Sequence, residues 1–261
     1  MALKLDHLVI LVSNLDTAVE DYRALGFTVT PGGAHTDGAT HNALIAFADG
    51  SYLELIAFLR EATEHRWWRH MAAGEGLIDF ALLPDDTGQV IDQAHSRGLA
   101  MTGPTEGGRQ RPDGQELRWQ TGLPPSANLP FLCGDVTPRS LRVPEGQARE
   151  HANNVVGIAG VTVVVEDLAV AVEEYIALLD VAAPPIVNLA PLPLRIAVFA
   201  LENATITLVQ PTMPEGVFHT RLATRGPGPI GFALTVDGLP PADWPDPALA
   251  HGTFIAPAYA F

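Results

Sequence analysis

Cysteine is nearly missing from this 261-residue chain, with Cys133 its single example. An intramolecular disulfide framework is thereby excluded, and the composition fits a reducing cytoplasm. Basic residues are scarce as well. Fifteen Lys and Arg stand against 30 Asp and Glu, a formal net charge of −15, which disfavours nucleic acid and anionic membrane as partners. No apolar run reaches membrane-spanning length, and the start MALKLDH lacks the basic and apolar regions of a secretory signal. There is no low-complexity tract, no phosphate loop, no HExxH and no CxxC. The run Gly226–Gly231 spells GxGxxG, but two prolines fill its variable positions and a strand-like FALTV follows where a helix must begin. No nucleotide cofactor is therefore expected. What is left is a globular composition, 47% hydrophobic, in a chain long enough for a sizeable core.

The chain does contain a repeat. A strand–helix unit from Leu5, LDHLVILVSNLDTAVEDYRALG, recurs 153 residues later as IAGVTVVVEDLAVAVEEYIALL from Ile158. Val12, Leu15, Ala18, Val19, Glu20, Tyr22, Ala24 and Leu25 find identical residues at that offset, and YLELI at Tyr52–Ile56 falls on TITLV at Thr205–Val209. One offset across two separate elements marks a repeated module. Within the first copy, Leu5–Val12 reads as a strand and Ser13-Asn14 as helix N-cap candidates, with Asp16 at capping-box spacing from Ser13. A helix carrying Ala18, Tyr22 and Leu25 on one face then stops at Gly26. Phe27–Thr30 reads as a short second strand broken by Pro31-Gly32-Gly33, and His41–Ala48 with Ser51–Phe58 as a hairpin turning at Asp49-Gly50. The unit is βαβββ. Leu77–Leu83, a helix from Asp86 to Arg97 and strands at Met101–Glu106, Glu116–Gly122 and Pro130–Val136 form a weaker second copy. Ile230–Val236 and Gly252–Ala256 are strands of a truncated fourth, since the Pro-rich stretch Leu239–Pro247 leaves no room for a full helix. The expectation is an α+β fold of repeated βαβββ modules forming curved mixed sheets around a cleft. Residues 1–136 make one domain and 155–261 a second, with linkers near Arg60–Gly76 and Thr137–Asn154. Trp67–Met71, WWRHM, reads as a packing helix.

The copies diverge at two polar positions. His7 falls on Gly160, and Glu54 on Thr207. Period-two alternation sets Tyr52, Glu54, Ile56 and Phe58 on one face of their strand, and His7 likewise shares a face of its strand with Val9 and Leu11. A carboxylate among large apolar neighbours must be paired, metal-bound or neutralised. An imidazole and a carboxylate together suit a borderline divalent cation; a plain hydrogen-bonded pair is the alternative. Cys133, alone in an apolar strand, reads as inert core. His219 and His251 lie in loops without ligand spacing.

DHLVI, GGAH…ATHNALIAF, YLELIA, RQRPDGQELRWQ and RGPGP, in that order, resemble the glyoxalase-like members of the vicinal oxygen chelate superfamily over most of the chain. The resemblance implies that His7 and Glu54 project into a cleft as metal ligands, with Glu54 also the proton-moving catalytic residue. Setting Gly98 on Gly26 puts Asp79 at the His7 position, so His7, Glu54 and Asp79 form the implied ligand set for zinc, nickel, manganese or iron. The module at Ile158 offers only Gly160 and Thr207. Which modules pair stays open: first with second would bring Asp79 to His7, and first with third would bring Gly160 and Thr207. Substrate contacts are expected from His35, Thr40, Asn42, Arg111 and Trp119, with Arg109 beside the same hairpin. Alternation lets only one of His41 and Asn42 face the cleft, and Asn42 is preferred. The implied activity is a metal-dependent isomerase or lyase acting on a small oxygen-rich metabolite. The alternative is a metal-free protein of the same fold that binds or sequesters a small molecule. A homodimer is compatible with either.

Overall fold

The computed structural model describes residues 3–111, 113–239 and 244–259. Its first unit runs β1 (Lys4–Leu11), α1 (Leu15–Ala24), β2 (Thr30–Ala34), β3 (Thr40–Ala46) and β4 (Tyr52–Phe58). A linker with a 3-10 turn at Trp68–Ala73 leads to the second: β5 (Gly76–Leu83), α2 (Thr87–Ser96), β6 (Thr102–Gln110), β7 (Glu116–Leu123) and β8 (Phe131–Asp135). A short helix α3 (Arg139–Arg142) precedes the third unit, β9 (Val155–Val164), α4 (Leu168–Leu179), β10 (Val187–Asn188), β11 (Leu194–Ala200) and β12 (Thr205–Pro211). Then come α5 (Val217–Arg225), β13 (Gly228–Val236) and β14 (Phe254–Tyr259). The Pro-rich stretch from Leu239 lies partly outside the described residues; a 3-10 turn follows at Pro247–Leu249.

The repeat is visible in how its helices begin. Asn14 caps α1 by accepting from the Thr17 N–H, Asp86 caps α2 by accepting from Gln89, and Asp167 caps α4 by accepting from Ala169 and Val170. All three caps occupy the same place in their module, where a short acceptor side chain on extended backbone satisfies the first free amides. The α1 cap is Asn14, and Ser13 instead donates its N–H to Glu75. Tyr22 and Tyr175 fill equivalent buried positions beneath the helices.

The modules pair first with second and third with the truncated fourth. Eight strands in the order β2-β3-β4-β1-β5-β8-β7-β6 form one sheet, joined at the antiparallel β1–β5 pair. Six strands in the order β10-β11-β12-β9-β13-β14 form the other, joined at β9–β13. In the first sheet β1 and β4 run parallel, with His7 opposite Tyr52. The sheet curls until its two edges touch: His35, just past β2, bridges to Arg109 on β6, and the Thr36 N–H donates to the Gly108 carbonyl.

Alternation then divides the residues. Leu8, Ile10, Leu53, Leu55, Phe80 and Leu82 join the helices and the second sheet in one continuous core. His7, Val9, Leu11, Glu54 and Ile56 point the other way, into the hollow of the curl. The second strand differs from expectation. Pro31-Gly32-Gly33 lies inside β2 instead of ending it, which an edge strand tolerates because its outward amides need no ladder partner. No helix among the described residues is long and apolar enough to cross a membrane.

Candidate functional site

The curl of the first sheet encloses a cavity of about 260 Å³. Its polar centre is Glu54, 5% exposed, which β4 carries directly opposite Leu44 on β3. Asn42 lies one pleat away on β3 and donates through Nδ2 to Glu54 Oε1 at 2.6 Å. A carboxylate only accepts, so it fixes which way the amide faces. The second Nδ2 hydrogen is directed at His35 Nε2, 3.4 Å distant. That contact makes His35 Nε2 an acceptor and leaves Nδ1–H to donate to Thr40 Oγ1 at 2.6 Å. Burial holds His35 below the usual imidazole range, so the ring is neutral at neutral pH. Its Nε2 stands 3.5 Å from Glu54 Oε1.

His7 approaches the same carboxylate from β1, with Nε2 3.5 Å from Oε2. A β-bulge between Leu5 and His7 turns Asp6 onto the side of its neighbour. His7 Nδ1–H then donates to Asp6 Oδ2 at 2.7 Å, which fixes the ring with Nε2 toward Glu54. The imidazole is held on both faces: Tyr52 stacks on it at 4.5 Å and Phe131 meets it edge-on at 5.5 Å.

Asp6 is fully buried, and the residues that neutralise it come from outside the repeat. Arg142 Nη1 and Arg139 Nη2, on α3, each lie 2.7 Å from its oxygens. Arg142 also donates to Tyr52 Oη at 2.8 Å and to Asp135 at 2.6 Å. Burial alone would raise the Asp6 pKa, but Arg142, the His7 hydrogen bond and Arg139 outweigh it and hold it well below the carboxylate range. Asp6, His7 and Cys133 also lie close enough to suggest a metal trio. Their chemistry does not fit one, because Asp6 is spent on two guanidiniums and burial pushes the Cys133 thiol up to about 12.

The cleft thus brings His7 Nε2 and His35 Nε2 to the two Glu54 oxygens, with Asn42 Nδ2 donating to one of them. Asn42 Oδ1 is itself buried without a donor among the described residues. Such a donor set attracts a proton or a cation. Imidazole nitrogen and carboxylate oxygen are the ligands that borderline divalent metals take, and the His7–Asp6 bond is the outer-shell contact that orients a ligating histidine.

Thr40 and Trp119 line the cavity, Trp119 edge-on to His35 at 5.8 Å. Asn42 faces it and His41 does not. Two other expected residues lie apart. Asp79 shares the cleft-side face with Val9, but its carboxylate is taken by Arg66 at 2.6 Å and Trp67 Nε1 at 2.8 Å and does not border the cavity. Arg111 sits beyond the mouth, bonded to the Leu141 carbonyl and to Asp113. Arg109 does reach the cavity, with its guanidinium directed at the backbone carbonyls of Gly32 and Arg142.

The residues that sequence reasoning missed are Asp6, Arg142, Arg66 and Trp67. Asp6 stands beside His7 in the chain, so adjacency was its signal. The other three come from linkers, and Trp67, read as packing, is a wall of the site.

Residues 5–179, two thirds of the chain, match the glyoxalase-like domain family. The chain belongs to that family. This glyoxalase-like protein accordingly falls in the vicinal oxygen chelate superfamily, and its curled βαβββ sheets are that superfamily's fold. Among solved structures it resembles a hypothetical protein from Staphylococcus aureus, with a TM-score of 0.73 and 16% identity over 99% of this chain and 100% of the other. It also resembles a mutant of 4-hydroxymandelate synthase from Streptomyces coelicolor, with a TM-score of 0.63 and 16% identity over 90% of this chain and 71% of that one. A third is a xylose isomerase-like TIM barrel/4-hydroxyphenylpyruvate dioxygenase fusion protein, TM-score 0.54 and 16% identity, covering 91% of this chain and 37% of that one. These likenesses are likenesses of fold. A comparison with curated proteins gives no match.

Proposed function

We propose that the first sheet's cleft binds a small oxygen-rich metabolite and that Glu54 moves a proton on it, as an isomerase or lyase does. The observation that carries this reading is the convergence of His7 Nε2 and Glu54 Oε2, 3.5 Å apart, with His35 Nε2 on the far side of the same carboxylate. His7 and Glu54 would hold a divalent cation, with His35 the third donor in place of Asp79. A bound cation supplies Lewis acidity, polarising a substrate oxygen so that the adjacent C–H becomes acidic. The rest is done by side chains. Asn42 orients the carboxylate by holding Oε1, and Glu54 is the group placed to take the proton. Tyr52 and Asp6 keep His7 from turning. Trp119, Trp67 and Phe131 give flat apolar walls that exclude water, and a volume of about 260 Å³ falls below the roughly 300–1,000 Å³ of drug-sized ligand sites. The substrate class is therefore small.

One observation favours a second reading, a metal-free binding protein. The central strands β5 and β8 of the second module contribute no free ligand among the described residues, because Arg66 and Trp67 occupy Asp79 and Cys133 is a neutral thiol. Elemental analysis of untagged protein purified without chelator separates the two. Near-stoichiometric metal that is lost in Glu54→Gln supports the metalloenzyme. No metal after reconstitution with several divalent ions leaves the binding protein.

A further inference from the structure

The second sheet repeats the cleft of the first without its chemistry. Strand register sets the two floors residue against residue. Gly160 holds the place of His7 on β9, and Thr207 that of Glu54 on β12. On β13, Gly231 stands opposite Thr162 as Asp79 stands opposite Val9. On β14, Ala256 stands opposite Ala233 as Phe131 stands opposite Ala81. Where the first floor has an imidazole, two carboxylates and a ring, the second has two glycines, a threonine and an alanine.

The wall, by contrast, is kept. α5 joins β12 to β13 as the Trp67 linker joins β4 to β5. It packs across β9, β12 and β13 and sets Val217 and Phe218 against the hollow. The cavity so formed measures about 500 Å³, against about 260 Å³ in the first sheet. Among the described residues that line it, none is Asp, Glu, Lys, Arg or His. Its polar side chains are threonines, with Thr162 and Thr207 side by side on β9 and β12.

A sheet face that merely met water would carry polar and charged residues at alternate positions. This one exposes apolar side chains instead. Phe254, Val217 and Val198, the last opposite Thr207 on β11, are 59%, 46% and 44% exposed around the same hollow. In a chain that is 17% charged, a concave apolar face of this kind marks a binding surface. Its volume falls within the roughly 300–1,000 Å³ of small-molecule sites. Its lining decides the ligand's charge, because an ion entering it would give up hydration and meet no counter-charge. We infer that the second sheet's cleft binds an uncharged, largely apolar small molecule and holds it without transforming it. The threonine hydroxyls supply one or two hydrogen bonds, burial of apolar surface supplies the rest, and the lining offers no acid or base to move a proton.

The test is fluorescence titration of the full chain at pH 7 with 1-naphthol, beside 1-naphthoate, which has the same rings and a charge. Saturable one-site binding of 1-naphthol is expected, at least about tenfold tighter than that of 1-naphthoate. Two substitutions put the first cleft's residues into the second. Ala256→Phe restores the bulk of Phe131 at an exposed position on an edge strand, and Thr207→Glu restores the charge of Glu54 at a half-buried one. Each should weaken 1-naphthol about tenfold or more, and should one variant not fold, the other decides. Unaltered affinity in the folded variant would put the probe elsewhere and overturn the site. No saturable binding of 1-naphthol, or 1-naphthoate held as tightly, would overturn it too. Sedimentation of the chain without probe tests the other occupant: a dimer that Thr207→Glu makes monomeric would give this face to a second copy and sink the ligand reading.

Discussion

At Asp6 one carboxylate answers to three partners, and its replacement shows how they depend on one another. It accepts from His7 and faces Arg139 and Arg142, all at 2.7 Å and out of reach of water. Changing Asp6 to Asn removes the negative charge but keeps the volume. The buried Arg142 and the part-exposed Arg139 then share only Asp135 as a carboxylate partner, and breaking a buried pair such as Asp6–Arg142 costs about 3–5 kcal/mol. Urea unfolding of Asp6→Asn should show a loss of that size with the slope of the transition unchanged. The same variant frees His7 Nδ1 from a fixed acceptor, so the ring nitrogens, followed by nitrogen NMR, should lose their single-tautomer signature. A variant as stable as the parent would mean that the arginines hold the cleft without Asp6. His7 and Glu54 were legible in the sequence because alternation on β1 and β4 needs only local periodicity. The fate of Asp79 was not, because what captures it lies on a linker whose path no local pattern encodes.

Elements place these residues, and β2 is the clearest case. Proline and two glycines read as a chain break, yet they are an edge strand whose lack of side chains lets β3 come close. A Cβ at Gly32 would lie 1.9 Å from Asn42 Oδ1 and 2.9 Å from the Asn42 carbonyl. Gly32→Ala should therefore push Asn42 away from Glu54, at a cost of about 1–3 kcal/mol for overpacking. Chemical denaturation would report the stability, and the Asn42 side-chain amide resonances would report the lost bond to the carboxylate. Unmoved amide resonances would show that β2 yields rather than Asn42. The register of β1 against β5 likewise lay beyond sequence reading. Setting Gly98 on Gly26 does align β1 with β5 as modules, but the pairing sets His7 opposite Ala81 and Asp79 opposite Val9.

The whole molecule carries its histidines in a way that makes it sensitive to acid. Burial holds His35, His65, His70 and His151 below the usual imidazole range, His70 at about 3. Unfolded, these rings take up protons below about pH 6.5; folded, they stay neutral to lower pH. The unfolded chain then binds more protons, so stability rises with pH across this window and is lost as pH falls from about 6.5 toward the folded values. The lowered carboxylate of Asp6 adds a second loss, confined to pH below its unfolded value near 3.8. Urea midpoints measured from pH 7 to pH 4.5 should fall steadily, and His70→Gln should flatten the curve. A His70→Gln profile parallel to the parent's would remove His70 from the account.

A duplicated fold invites separation into its copies, and a cut after β8 looks natural because the eight-stranded sheet is complete there. Arg139 and Arg142 lie beyond that cut, in a stretch that belongs to no repeat, yet they reach back to Asp6, Asp135 and the Gly50 carbonyl. The connector has in this way become part of what it once merely joined. A lineage that shed its second half could keep the cleft only by keeping the chain through Arg142, so the smallest inheritable piece of this protein is longer than its smallest complete sheet.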